Sequence, residues 1–398
     1  MSLLDQASLI LTPNAYKANK LYSIVPSSGS GDLTTTRATI ASRTNNAGVI
    51  ETLATGVPRL DYSNSLTSPS ILLEPQRTNL LLNSVWAGSS QTPTSWSITG
   101  GGVSTKLTSI KNPNVGAYNF ISTSVNRVFF YQTQTFTINT STSFSVYVEE
   151  ALVPIQVQYL LDVVNATGTK TYLKNNVSIN ASEVIQQGNI YTIVFVATAT
   201  TTGSEVRAGI HNSGTVGNVT LSMPQLELGA YPTSYIPTTT STVTRNGDLM
   251  TLNNIYTNNL ITSSGGTWFV ELNNNFSLTR DSGGQFGIGT ASEIGTANAL
   301  TIRRDAGNGR LLIIKYISGV GTPIYTTLTD TIKVGIKWNG TTADVFVNGV
   351  KVVTSTTFTT TAMEFLQANA IDVPKYVKSF ILFPTPLTDA GCATLTTL

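Results

Sequence analysis

One histidine, one cysteine and 21 acidic side chains are the groups with which this 398-residue chain could do acid–base or covalent chemistry. His211 is the sole imidazole, so a Ser-His-Asp arrangement would have to use it. It sits in Gly209-Ile210-His211-Asn212-Ser213-Gly214, a strand running into a turn, and no Gly-x-Ser-x-Gly elbow accompanies it. Glycoside cleavage would need two carboxylates held a few ångströms apart. Glu149 and Glu150 are adjacent and would face opposite sides of a strand, while Asp281, Glu293 and Asp305 fall in loop-like stretches. The glycine-rich run Gly283 to Gly289 lacks the following helix that a phosphate cradle requires and reads as a strand with a bulge. Cys392 alone can form neither an intrachain disulfide nor a cysteine zinc site. Loop carboxylates and carbonyls of a lectin-like sandwich could hold calcium, although no spaced Asp ladder marks such a loop. The expectation from these residues is a chain with no catalytic, cofactor or metal site and no bond-cleaving activity.

The remaining groups suited to recognition are aromatic. Sugar rings stack on exposed Trp and Tyr faces. Trp86, Trp96 and Tyr131 are the candidate glycan contacts, with Tyr118 in the same module, and the alternative is that the two tryptophans plug the end of a sandwich. Trp268 and Trp338 fall in strand patterns and read as core.

Charged residues make up only 11% of the chain while apolar residues reach 40%, so a core can form and disorder is not indicated. Thr, Ser, Asn and Gly take the place of charge. A net charge of +2 provides no concentrated basic face for phosphate neutralisation, so nucleic acid is not an expected partner. No secretory signal opens the chain and no run of about 18 apolar residues exists, so neither export nor a membrane span is expected.

The elements that must position any site read as β throughout. Phe144, Val146 and Val148 alternate with polar neighbours, and Thr192 to Val196 is a continuous apolar strand. Ile332, Val334, Ile336 and Trp338 alternate again. Asn339-Gly340 and Asn348-Gly349 then predict tight hairpins, because Asn-Gly supplies the positive φ angles of primed turns. Phe380 to Phe383 predicts a strand, and Thr388 could cap one turn of helix over Asp389 and Ala390.

The densest polar constellation is Pro58-Arg59-Leu60-Asp61-Tyr62 followed by Leu73-Glu74-Pro75-Gln76-Arg77. Arg59 and Arg77 can each bind a carboxylate in a two-pronged way, with Asp61 and Glu74 at hand, so the segment reads as an interdomain clasp. With Thr36 to Thr39 and Gly48 to Glu51 ahead of it, residues 33–84 resemble a segment common in bacteriophage virion proteins. Pro224 to Pro237 resembles the closing strand of a carbohydrate-binding-type jelly roll, and Val345 to Val350 with Phe380 to Asp389 resembles the end of a laminin-G or concanavalin-like sandwich.

The fold class expected is all-β, with tandem antiparallel β-sandwiches of jelly-roll type behind an extended N-terminal arm. The boundaries expected are an arm at 1–32, a clasp at 33–83, a carbohydrate-binding-like sandwich at 84–237 and a laminin-G-like sandwich at 243–398, with a polar linker at Thr238 to Thr242. Leu3, Leu4, Leu9, Ile10 and Leu11 would anchor the arm on the virion. The resemblance implies a virion-surface protein made in the host cytoplasm, a head fibre or capsid decoration. Its partners would be capsid or tail proteins and two further copies in a homotrimer. The alternatives are a tail fibre whose sandwich binds host glycan, with Trp86 and Trp96 in contact, and a polysaccharide depolymerase.

Overall fold

The computed structural model describes residues 2–123, 126–149, 161–164, 170–172, 184–197, 201–210, 217–273, 286–292, 297–304, 310–327, 331–360, 362–370 and 375–397. His211, Glu150, Asp281, Glu293 and Asp305 lie outside these residues. The chain is all-β, and its strands pair antiparallel. No helix among the described residues is long and apolar enough to cross a membrane.

The chain divides into two compact units, and the division does not follow the expected boundaries. Unit 1 comprises residues 1–47, 52–76 and 246–398, and unit 2 comprises 48–51 and 77–245. The second unit therefore interrupts the chain of the first. The expected clasp segment 33–83 is shared out between them, and the expected linker starts inside unit 2. There Thr238 is buried and its hydroxyl donates to the Leu81 carbonyl at 2.7 Å.

Unit 1 is a sandwich of an eight-stranded and a nine-stranded sheet. The eight-stranded sheet runs from Val350–Thr357 through Thr342–Val347, Thr331–Trp338 and Gly266–Asn273 to Lys375–Phe383. The Asn-Gly hairpin folds as the sequence predicts at Asn348 and Gly349, whose φ angles are 46° and 84°, whereas at Asn339-Gly340 only Gly340 takes a positive φ, 83°. Ile332, Val334, Ile336 and Trp338 point to one core, which draws on both sheets. Phe269, Phe346, Ile381 and Phe383, one residue out of phase with that core, form a second cluster on the other face of the eight-stranded sheet. The C-terminal helix Asp389–Thr397 covers this face with Cys392 and Leu395. Thr388 caps it as expected, accepting from the Gly391 N–H at 3.1 Å, but the helix runs for nine residues and not one turn. Asp389 holds Lys337 and Lys351, which also pair with Asp344, and both ammonium groups lie 5.8 Å from the Phe346 ring.

The N-terminal arm is corrected by the same packing. Leu9–Leu11 is a strand that pairs with Lys375–Phe383, Leu9 opposite Leu382 and Leu11 opposite Phe380. Leu9 and Leu11 are fully buried in the main core, while Leu3 and Ile10 pack on the outer cluster. Of the five expected anchor residues only Leu4 is exposed. The apolar stretch is thus used within unit 1, where burial of each leucine contributes roughly 1.5–3 kcal/mol.

Unit 2 is a second sandwich. One sheet has the order Ser97–Gly100, Val128–Phe136, Thr201–Ile210, Leu161–Val164, Lys170–Tyr172. The other is six-stranded, with Asn218–Leu228 between Gly116–Ile121 and Ser141–Val148. Phe144, Val146 and Val148 meet Val128, Phe130 and Val206 in one core. The strands that lead into and out of the unit, Arg77–Asn79 and Val243–Arg245, pair with each other.

Replacing Leu9 with Ala should therefore destabilise unit 1 by about 2–5 kcal/mol, the range for an emptied core leucine site. Urea unfolding measures this, and an unchanged midpoint would restore the reading of residues 9–11 as a free arm.

Candidate functional site

The strand Val128–Phe136 decides which aromatics face solvent. Side chains alternate along it, so Val128 and Phe130 enter the core while Phe129 and Tyr131 take the outer face of the five-stranded sheet. Across the ladder Tyr131 stands opposite Ser97 on one side and Arg207 on the other. Tyr131 is half-buried. Arg207 is fixed by Glu205, two residues along its own strand. Its Nε donates to the carboxylate at 2.7 Å and its Nη2 lies 2.6 Å from the same oxygen. The Arg207 guanidinium lies over the Phe129 ring at 4.8 Å, and that of Arg127 lies over it at 5.3 Å. Phe129 is fully buried although it is absent from the core cluster.

This face presents one aromatic ring and a fixed guanidinium–carboxylate pair side by side on paired strands. The ring offers an apolar plane, and the pair offers charge-assisted donors and acceptors at set positions. Of the expected glycan contacts, Tyr131 lies on it. Arg207, Glu205, Phe129 and Arg127 were not among the sequence candidates. A signal for them exists in Gly100-Gly101-Gly102. Gly100, at φ +101°, passes so near that an added Cβ would stand 1.8 Å from the Arg127 carbonyl oxygen.

Trp86 and Trp96 are corrected. Both are buried, Trp86 completely. Trp86 meets Trp96, Tyr118 and Phe130 edge-on, with ring centroids 5.7, 5.6 and 5.5 Å apart. Edge-to-face packing among so many rings fills the sandwich and leaves no face for a ligand. The Trp96 indole N–H is also used, donating to the carbonyls of Leu82 and Asn83.

The clasp residues resolve into two places. Arg59 is buried in unit 1 between Glu74 and Asp248, donating to both, and Asp248 also accepts from Arg37 at 2.9 Å. Burial alone would lower the Arg59 pKa, but the charges of Asp248 and Glu74 and their hydrogen bonds outweigh it and hold the guanidinium firmly charged. Asp61 does not pair with either expected arginine. It accepts from the Thr44 N–H at 2.8 Å and the Ser63 N–H at 2.9 Å, and it faces Tyr376, whose phenol is pushed up by burial and then by the charges of Asp61 and Glu74. Arg77 belongs to unit 2, where its guanidinium packs against Gly229.

The Pro224–Pro237 motif is also structural. Buried Glu227 accepts from the Thr233 N–H at 2.8 Å and from its hydroxyl at 2.5 Å, and Gln225 ties Ile236 at 2.6 Å. Burial raises the Glu227 pKa against these bonds and the charge of Arg245. Among the described residues no group of three or more His, Cys, Asp and Glu side chains could hold a metal ion.

No protein-family model matches the chain, and no curated protein matches it. Solved structures do. The CBM2 module of the evolved Dit of Lactobacillus casei BL23 phage J-1 is 13% identical, over 36% of this chain and 72% of that one, at a TM-score of 0.26. Trypanosoma rangeli sialidase in complex with the inhibitor DANA is 11% identical over 79% and 55%, at 0.29. A tail fibre protein of an E. coli phage is 9% identical over 73% and 40%, at 0.21. The chain thus spans about half or less of the length of the last two. At these scores none of the likenesses assigns a ligand or an activity. The expectation of a chain without enzymatic activity is corrected here, since a sialidase stands among the matching structures.

The charge arrangement at Arg59 gives a stability test. Arg59→Ala should cost about 3–5 kcal/mol, because two carboxylates would remain buried without their cation. Chemical denaturation reads the loss. A cost under about 1 kcal/mol would show that the cluster is open to water in solution.

Proposed function

We propose that this protein is a structural component of a bacteriophage virion surface and that unit 2 contacts saccharide through the outer face of its five-stranded sheet. The observation that carries the contact is the juxtaposition of Tyr131, half-buried on that face, with Arg207 locked to Glu205 one strand away. A pyranose ring has an apolar face of C–H groups, which suits the Tyr131 ring, and a rim of hydroxyls, which suits donors and acceptors held at fixed spacing. Because the groups stand on strands, their geometry is set before the ligand arrives, which lowers the ordering cost of binding. The virion part of the reading is supported by the resemblance of residues 33–84 to phage virion segments and by a charge-poor, Thr-rich pair of β-sandwiches.

Within that reading two placements follow. As a tail fibre or receptor-binding protein, the chain would carry the Tyr131 face to host glycan. As a head fibre or capsid decoration, it would project from the particle and hold the phage near the same surface. In either placement three copies around one axis would multiply weak saccharide contacts.

Isolated host-envelope polysaccharide should retain the purified protein in affinity electrophoresis. Tyr131→Ala should weaken retention about tenfold, the loss of roughly 1.4 kcal/mol, with an unchanged melting curve. Undiminished retention by the variant would remove the face from consideration. Immunogold labelling of intact particles separates head from tail placement, and mass measurement in solution tests the trimer.

A further inference from the structure

We infer that the outer face of the five-stranded sheet takes an anionic saccharide, with Arg127 as the group that meets its carboxylate or phosphate oxygens. This rests on the glycan reading above and adds the charge class of the ligand to it. Two guanidinium groups lie over the Phe129 ring, but their situations differ. Arg207 is matched by Glu205. Arg127 is exposed, and no carboxylate of the described residues pairs with it. Asp162 stands opposite Arg207 in the register of the adjoining strand, so the acids of this face fall beside Arg207 and not beside Arg127.

The geometry favours using the Arg127 charge on a ligand. A guanidinium placed over an aromatic ring gains attraction from the ring and still has N–H donors to offer a ligand. A planar fork of this kind matches the paired oxygens of a carboxylate or a phosphate. The Arg127 backbone is also held. Its carbonyl accepts from the Gly102 N–H at 3.2 Å, and the close pass of Gly100 tolerates no side chain there. Arg127 and Tyr131 are separated by four residues of largely extended chain, about 13 Å at the rise of a strand. A short oligosaccharide can therefore lie with one ring on Tyr131 and an acidic group at Arg127. Arg207 stands beside that path and is already held by Glu205.

The test uses the full chain and two matched pairs of probes: polygalacturonate with its fully methyl-esterified form, and phosphomannan with its dephosphorylated form. The wild-type protein should bind the charged member of at least one pair about tenfold or more tightly than its neutral twin, and added salt should erode the difference. The pair that responds tells a carboxylate from a phosphate. Arg127→Gln should abolish the difference, while Arg127→Lys, which keeps the charge, should retain part of it. Melting curves of all variants verify the fold. Equal binding to charged and neutral twins, an unchanged difference in Arg127→Gln, or no binding to any of the four probes overturns the inference. In each of these outcomes the saccharide face itself stands if a neutral host polysaccharide is still bound in a Tyr131-dependent way. If nothing bound depends on Tyr131, both readings fall.

Discussion

The pairing of Arg59 with Glu74 and Asp248 is the interaction on which the layout of unit 1 depends. Glu74 is 15 residues from Arg59 and Asp248 is 189 away, with the whole of unit 2 between the two carboxylates in sequence apart from residues 48–51. A buried guanidinium cannot tolerate the absence of either partner without a large desolvation cost. The chain before the interruption and the chain after it are therefore brought to one point. Backbone bonds repeat the arrangement: Asp248 N–H donates to the Glu74 carbonyl at 2.9 Å, and Glu74 N–H donates to the Asp248 carboxylate at 2.9 Å. Beside this point Leu33–Thr36 and Leu249–Asn253 become neighbours in the nine-stranded sheet. The sandwich can close as if the intervening residues were a loop.

Local features of this architecture were legible in the sequence because they rest on local physics. Alternation placed Phe144, Val146, Val148 and the Ile332 to Trp338 series correctly, and Asn348-Gly349 could hardly be other than a hairpin turn. The residue types around Arg59 suggested ion pairing with Asp61 and Glu74, of which only Glu74 meets Arg59. What could not be read was the partner Asp248, since nothing in a Gly-Asp-Leu tripeptide signals a contact so distant in sequence. The same limit hid the fate of Leu9 and Leu11. An apolar triplet near a terminus serves equally well as a docking arm or as a strand, and only the vacancy beside Lys375–Phe383 decides between them.

The aromatic residues show a different limit. Trp86 and Trp96 outrank Tyr131 as sugar platforms by size, yet their placement turns on parity and on what closes the sandwich. Phe130 and Tyr131 are neighbours, and the pleat sends one inward and the other outward. Which of them faces water depends on the pairing of Val128–Phe136 with Thr201–Ile210 and on the glycines at 100 and 209, where neighbouring backbone leaves no room for a side chain. The outward set then acquires its polar partners from a strand about 75 residues further on, a spacing far beyond local pattern.

The paired strands Arg77–Asn79 and Val243–Arg245 have an evolutionary consequence. Unit 2 begins and ends at adjacent points, and the flanking residues of unit 1, Gln76 and Asn246, are themselves joined by a side-chain hydrogen bond at 3.1 Å. A genetic exchange with crossovers in these two short stretches would replace nearly the whole of unit 2 in one event. Only the four residues 48–51 would need to be refitted separately. The Arg59 cluster and both sheets of unit 1 would be inherited unchanged. Unit 2 can thus be exchanged as one cassette without rebuilding the core of unit 1.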